Sequence, residues 1–93
     1  MAATQKLVEL ISEYLVDPND NCTQFIQNGF AMGCILHRQN ERPPAEKLIR
    51  GAMSAAGLQD DAQKVISDLQ GNEEEYMNAA GPSNEIKSLF PRG

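Results

Sequence analysis

The chain has 93 residues, with no tryptophan and few other aromatic residues, so one domain with a small core is expected. Acidic residues outnumber basic ones 13 to 8, for a net charge of −5, and no predicted helix carries a basic cluster. Binding to nucleic acid or to an anionic membrane surface is therefore disfavoured, and no run reaches the roughly 18 apolar residues of a membrane span.

A first helix is predicted over residues 4–16. Its apolar residues recur at i, i+3, i+4, i+7 and i+8: Leu7, Leu10, Ile11, Tyr14 and Leu15. The stretch also contains acidic residues and lacks a small-residue cleavage site, so we do not expect a signal peptide. We therefore expect a cytoplasmic protein. The sequence DPNDN at 17–21 predicts a turn. It does not predict a calcium loop, because Cys22 and Asn28 stand where that loop needs glycine and glutamate.

A second helix is predicted over residues 22–39. Gly29 and Gly33 lie inside it, where each glycine costs about 1 kcal/mol relative to alanine. This cost suggests a packing reason, namely the close approach of a neighbouring helix. Cys22 and Cys34 would lie roughly 18 Å apart on one helix. That distance is too long for a disulfide, and Cys34 is expected to be a small core residue.

Helices over 44–56 and 60–70 form the most informative pair in the chain. Gly57 lies between them, where a left-handed helix end favours glycine. Each helix has one apolar stripe: Leu48, Ile49, Ala52 and Met53 on the first, and Ala62, Val65, Ile66 and Leu69 on the second. This pattern predicts a helical hairpin that buries one side.

A short helix is predicted over residues 73–80, and its three leading glutamates are expected to form a solvated first turn. The tail at 81–93 is expected either to dock through its apolar residues or to fray. No strand-like alternation occurs in the sequence. We therefore predict one all-α domain over 1–93, built from antiparallel helical hairpins with four to five helices.

The sequence contains no catalytic signature, and we expect no enzyme activity, cofactor or small-molecule substrate. His37 is the only histidine and is expected to be a helix-end residue that favours the helix dipole. A zinc site from Cys22, Cys34 and His37 would have irregular ligand spacing. A DNA-binding helix-turn-helix is disfavoured because Asp60 and Asp61 would face phosphate.

The hairpin resembles the tetratricopeptide unit, a 34-residue helical hairpin. Gly57, Ala62 and Ile66 match the spacing of that unit's turn glycine and of the small and large residues that follow it. A second copy is not detectable at a 34-residue shift. Such hairpins usually need about three stacked copies to bury both faces. The chain is therefore expected to expose an apolar groove for an amphipathic helix of another protein.

The same region is similar to the tetratricopeptide-like chaperones of type III secretion needle subunits. Five short stretches carry this resemblance: Leu48-Ile49-Arg50, Ser54, Ala56-Gly57-Leu58, Lys64 to Asp68, and Leu89-Phe90-Pro91. The resemblance as a whole extends over about half the chain. The resemblance implies a virulence-related cytoplasmic chaperone that pairs with a second small helical chaperone. The heterocomplex would keep a polymerising subunit monomeric before export.

Two surfaces are expected on this interpretation. The partner-binding groove would be lined by Phe25, Phe30, Leu48, Met53, Val65 and Ile66. The second chaperone would contact Leu7, Leu10, Ile11 and Tyr14. Three alternatives remain: a closed four-helix core in which these stripes face each other, a small acidic inhibitor or adaptor of phage or viral origin, and an enzyme subunit without its own active site.

Overall fold

The computed structural model describes residues 23–91, apart from the side chains of Thr23 and Phe25. The predicted helix over 4–16 and its apolar stripe lie outside the described residues. Within 23–91 the chain is helical and has no strand, which confirms the all-α prediction. The helices are α1 (Thr23–Arg38), α2 (Arg42–Ala55), a 3₁₀ turn (Gln59–Asp61), α3 (Ala62–Asp68), α4 (Glu73–Ala80) and α5 (Asn84–Lys87).

α1 and α2 form an antiparallel pair joined by a tight connection. α2 begins two residues before the predicted start, and Pro43 and Pro44 lie in its first turn. Proline is tolerated there because the first amides of a helix have no acceptor within the helix. Asn40 takes a positive φ of 69° in the connection, a conformation that asparagine tolerates better than most residues. The chain can therefore reverse within three residues, Gln39 to Glu41.

Gly33 is the point of close approach between these two helices. A Cβ atom at this position would lie 2.6 Å from Cγ1 of Ile49 and 3.1 Å from the carbonyl oxygen of Ala45. The packing reason predicted for a glycine inside α1 is therefore present at Gly33. It is absent at Gly29, where a Cβ atom would meet nothing within 4 Å.

Gly57 ends α2 in the left-handed conformation that the sequence predicts, with φ +79°. The amide of Gly57 donates to the carbonyl of Ser54 at 3.0 Å, and that of Leu58 donates to Met53 at 2.7 Å. These two bonds form a Schellman motif, which usually joins two apolar side chains across the helix end. Met53 and Leu58 are both buried here, so the turn directs the chain back onto the core.

The predicted helix over 60–70 is a 3₁₀ turn followed by the seven-residue helix α3. Leu58 enters the core immediately before this turn. Its carbonyl accepts from the amide of Asp61 at 3.0 Å, an i to i+3 bond that tightens the first turn. α3 places Val65 and Ile66 in the core, as the apolar stripe of the second hairpin helix requires.

α4 attaches to the body of the fold through Tyr76, a fully buried residue. Its ring packs against Phe30 of α1 at a centroid distance of 6.4 Å. Its hydroxyl donates to Oδ2 of Asp68 at 2.7 Å. Burial, together with this hydrogen bond, raises the pKa of the Tyr76 hydroxyl. Tyr76 thus links three helices.

Tyr76→Phe is expected to lower the free energy of unfolding by about 1 kcal/mol, the net value of one hydrogen bond. The ring and its packing remain, so the loss reports on the hydroxyl alone. Urea unfolding followed by circular dichroism measures the change. Asp68→Asn is the matched variant, because its amide oxygen still accepts from Tyr76 and the loss should be smaller. An equal loss in both variants would contradict this account.

The tail beyond α4 packs against the body of the fold. The amide of Ser83 donates to Oδ1 of Asn28 at 3.0 Å, and Phe90 is buried within the core cluster. Leu89, by contrast, is 57% exposed. The sequence left open whether the tail docks or frays. In the described part, residues 81–91, it docks through apolar residues.

Candidate functional site: an apolar groove on α1 and α2

An apolar groove runs along the outer side of the α1–α2 pair. Its volume is about 520 Å³. Eight residues line it: Ile26, Gly29, Pro44, Lys47, Leu48, Gly51, Ala52 and Ala55. Lys47 is the one charged residue among them. Within residues 23–91, no other segment fills this groove.

The groove exists because α2 carries two apolar stripes side by side. One stripe faces the core and contains Ala45, Ile49 and Met53, all of which are buried. The other contains Leu48 and Gly51, which line the groove instead. A helix with only one buried side needs an apolar face about 100° wide. The apolar face of α2 is wider than that, and the described residues leave part of it, around Leu48 and Gly51, uncovered.

Glycines make the groove deep on both walls. Gly29 of α1 and Gly51 of α2 line it, and a Cβ atom at either position would meet nothing within 4 Å. Small residues on a helix surface allow another backbone to come close. Between Pro44 and Ala55 the groove wall follows α2 for about three turns, or roughly 16 Å at 1.5 Å per residue. Its size therefore suits one short helix.

The structure changes the predicted composition of the groove. Leu48 lines the groove as predicted, and nothing is described for the side chain of Phe25. The other four predicted residues are core residues: Phe30, Met53, Val65 and Ile66. Their assignment to an open groove is therefore corrected. The helices turn these stripes toward one another, so that the hairpin buries them within the chain itself.

Most of the residues that line the groove could not be assigned to it from the sequence. Four of them were assigned to no site: Ile26, Gly29, Gly51 and Ala55. Ile26 is apolar and the two glycines are small, so their residue types are compatible with a groove. One feature of the sequence indicated the groove. Leu48 and Ile49 are adjacent apolar residues and point in different directions from the helix, so a single contact face could not bury both fully. A second stripe on α2 follows from that offset.

His37 lies in the last turn of α1, as expected, but it forms a buried pair with Glu73, which was expected to be solvated. Nδ1 of His37 lies 2.8 Å from Oε2 of Glu73, and the residues are only 4% and 3% exposed. The pair joins the last turn of α1 to the first residue of α4. The expectation of a solvated Glu73 is therefore wrong, because packing α4 on α1 brings this carboxylate to the histidine.

Cys34 is a buried thiol, as expected of a small core residue. Burial, and to a smaller extent the charge of Glu73, raises the pKa of this thiol. A thiol in this state is a poor nucleophile and a poor metal ligand. Among residues 23–91, no group of three or more histidine, cysteine or acidic side chains lies close enough to hold a metal ion.

The fold and the groove together define a small all-α helical-hairpin protein with an apolar groove sized for a helix. No family model, curated protein or solved structure matches the chain. None of the helices within residues 23–91 has the length and apolar character needed to span a membrane.

Proposed function

We propose that this protein is a non-catalytic chaperone whose groove holds an amphipathic helix of a polymerising partner. In this proposal the partner is a type III secretion needle subunit, and a second small helical chaperone completes the complex in the cytoplasm. The apolar groove on α1 and α2 is the observation that carries the proposal. An exposed apolar surface of this kind is typical of a protein interaction site.

The groove's chemistry favours a helix over a small polar ligand. Apart from Lys47, its lining offers no side chain that could hydrogen-bond a substrate, and specific small-molecule sites need several such groups. An apolar stripe of a partner helix needs none. Its backbone groups are already satisfied within the helix, and only its apolar side chains must leave water.

The acidic-inhibitor alternative loses support from the burial of Glu73. That alternative relies on the charged surface of the protein, to which the glutamates at 73–75 were expected to contribute, and Glu73 is only 3% exposed. Its carboxylate is bonded to His37 and is not presented to solvent. The remaining charge at the start of α4 is smaller, so electrostatic steering of a basic target is weaker.

Gly51→Leu should abolish partner binding while leaving the fold intact. A leucine side chain at this position would project into the groove, because nothing lies within 4 Å of its Cβ. Ser54→Leu is the matched control: it adds the same side chain to an exposed position of α2 outside the groove. Both tagged variants and the wild-type protein would be used to capture partners from source cells.

The expected result is one protein that co-purifies with wild type and with Ser54→Leu and is lost from Gly51→Leu. When isolated, that protein should assemble into polymers, and added chaperone should prevent the assembly. Light scattering measures this directly. A partner retained by Gly51→Leu, or a captured protein that does not polymerise alone, would contradict the proposal.

A further inference from the structure

We propose that residues 4–16 of the same chain occupy the groove whenever no partner is bound. Their predicted helix would lie along α1 and α2 with Leu7, Leu10, Ile11 and Tyr14 facing the groove. This inference concerns the regulation of the proposed binding site. It rests on the proposed function only in assuming that the groove receives a helix.

The dimensions of the segment and of the groove agree. Residues 4–16 would form a helix of roughly 20 Å at 1.5 Å per residue, against roughly 16 Å of groove wall along α2. The apolar stripe of the segment, from Leu7 to Leu15, would extend over roughly 12 Å at 1.5 Å per residue, which fits within the length that the groove offers. The large side chains of the stripe also complement a lining that is rich in glycine and alanine.

The start of α1 lies beside the groove, so the segment that precedes it would be close to the groove. α1 begins at Thr23, and Ile26, in its first turn, already lines the groove. Residues 17–22 can span up to about 20 Å when extended, whereas packed helices lie only about 8–10 Å apart. Their sequence DPNDNC favours a turn. A reversal there would place the segment antiparallel to α1 and beside α2.

The charges of the segment and of the groove also favour docking, by a smaller amount than the apolar contacts. Lys47 is the charged residue of the groove lining, and the segment carries Glu9 and Glu13 against one basic residue, Lys6. A partly exposed ion pair contributes about 0.2–1 kcal/mol. It therefore favours docking in one orientation more than it determines affinity.

Docking of this segment would make the groove self-protecting. An uncovered apolar groove promotes aggregation, and a tethered helix covers it at a high effective concentration. A partner helix must then displace the segment. A second chaperone that binds the stripe of Leu7, Leu10, Ile11 and Tyr14 would uncover the groove and make room for the subunit.

Hydrogen exchange of the full-length chain, without partner, tests this inference. Amides in residues 7–15 should exchange roughly tenfold or more slowly than in a free peptide of residues 4–16, since short isolated helices are marginal in water. Gly51→Leu should abolish this protection, and Ser54→Leu should retain it. In all three proteins, protection of α4 amides verifies that the fold is intact.

A second pair of variants leaves the groove unchanged. Leu10→Asp should release the segment and shift the amide resonances of Gly29 and Gly51, whereas Ser12→Asp, on the opposite side of the predicted helix, should not. This pair decides the question if Gly51→Leu does not fold. Unprotected amides in the wild-type segment, or no resonance shift with Leu10→Asp, would overturn the inference.

Two further outcomes separate this inference from its rivals. Protection that increases with protein concentration would mean that a second copy fills the groove, and the inference would be wrong. Protection that does not depend on concentration supports it even if no partner co-purifies. In that case the inference stands and the proposed function fails, so the two can be judged separately.

Discussion

Gly33→Ala is expected to lower the free energy of unfolding by about 1–3 kcal/mol, the usual cost of overpacking a tight helix contact. The added Cβ would lie 2.6 Å from Cγ1 of Ile49 and 3.1 Å from a backbone oxygen of Ala45. Neither neighbour is the free end of a flexible side chain. α1 and α2 must therefore separate, although alanine by itself favours the helix by about 1 kcal/mol.

Gly29→Ala is the matched control within the same helix. Its Cβ would meet nothing within 4 Å, so the helix preference of alanine should raise stability by up to about 1 kcal/mol. Thermal unfolding distinguishes the two, since 1 kcal/mol shifts the midpoint by about 4–8 °C in a domain of this size. If Gly33→Ala and Gly29→Ala change the free energy of unfolding in the same direction, α2 does not approach α1 closely at Gly33.

Glu73→Ala is expected to lower the free energy of unfolding by about 2–4 kcal/mol, which is more than the loss expected for Gly33→Ala. It removes the group that lies 2.8 Å from Nδ1 of His37. The imidazole would remain buried without a partner, and burying an unpaired polar group costs the full penalty of removing it from water. Urea denaturation near neutral pH measures the loss.

Two controls define what the loss means. Glu75→Ala changes an exposed residue of the same helix and should alter stability by no more than about 0.5 kcal/mol. Glu73→Gln keeps an oxygen that can accept a hydrogen bond from His37, so it should recover part of the stability. If Glu73→Ala behaves like Glu75→Ala, the buried pair does not hold α4 against α1.

The groove and the buried pair differ in how far the sequence could predict them. The pair could not be predicted, because His37 and Glu73 are 36 residues apart and belong to helices with no shared periodicity. For the groove, the sequence predicted an apolar surface and placed Leu48 in it correctly, but four of the six predicted residues belong to the core. Phe30 and Met53 have the correct chemistry for a partner site, yet both are fully buried in the core.

The reason is that periodicity defines a face of a helix but not what that face contacts. α2 has apolar residues on adjacent stripes, and both stripes satisfy the same spacing rule. Gly33 decides between them. By letting α1 approach Ile49, it places the stripe of Ile49 in the core and leaves that of Leu48 in the groove.

The sequence alone determined the all-α class, the helix order within 23–91 and the glycine turn at Gly57, because these depend on spacing and backbone conformation along the chain. Only the tertiary structure decided which apolar residues form the core, that Glu73 is buried beside His37, and where a groove remains. These features depend on contacts between residues far apart in sequence, and the packing of whole helices determines them.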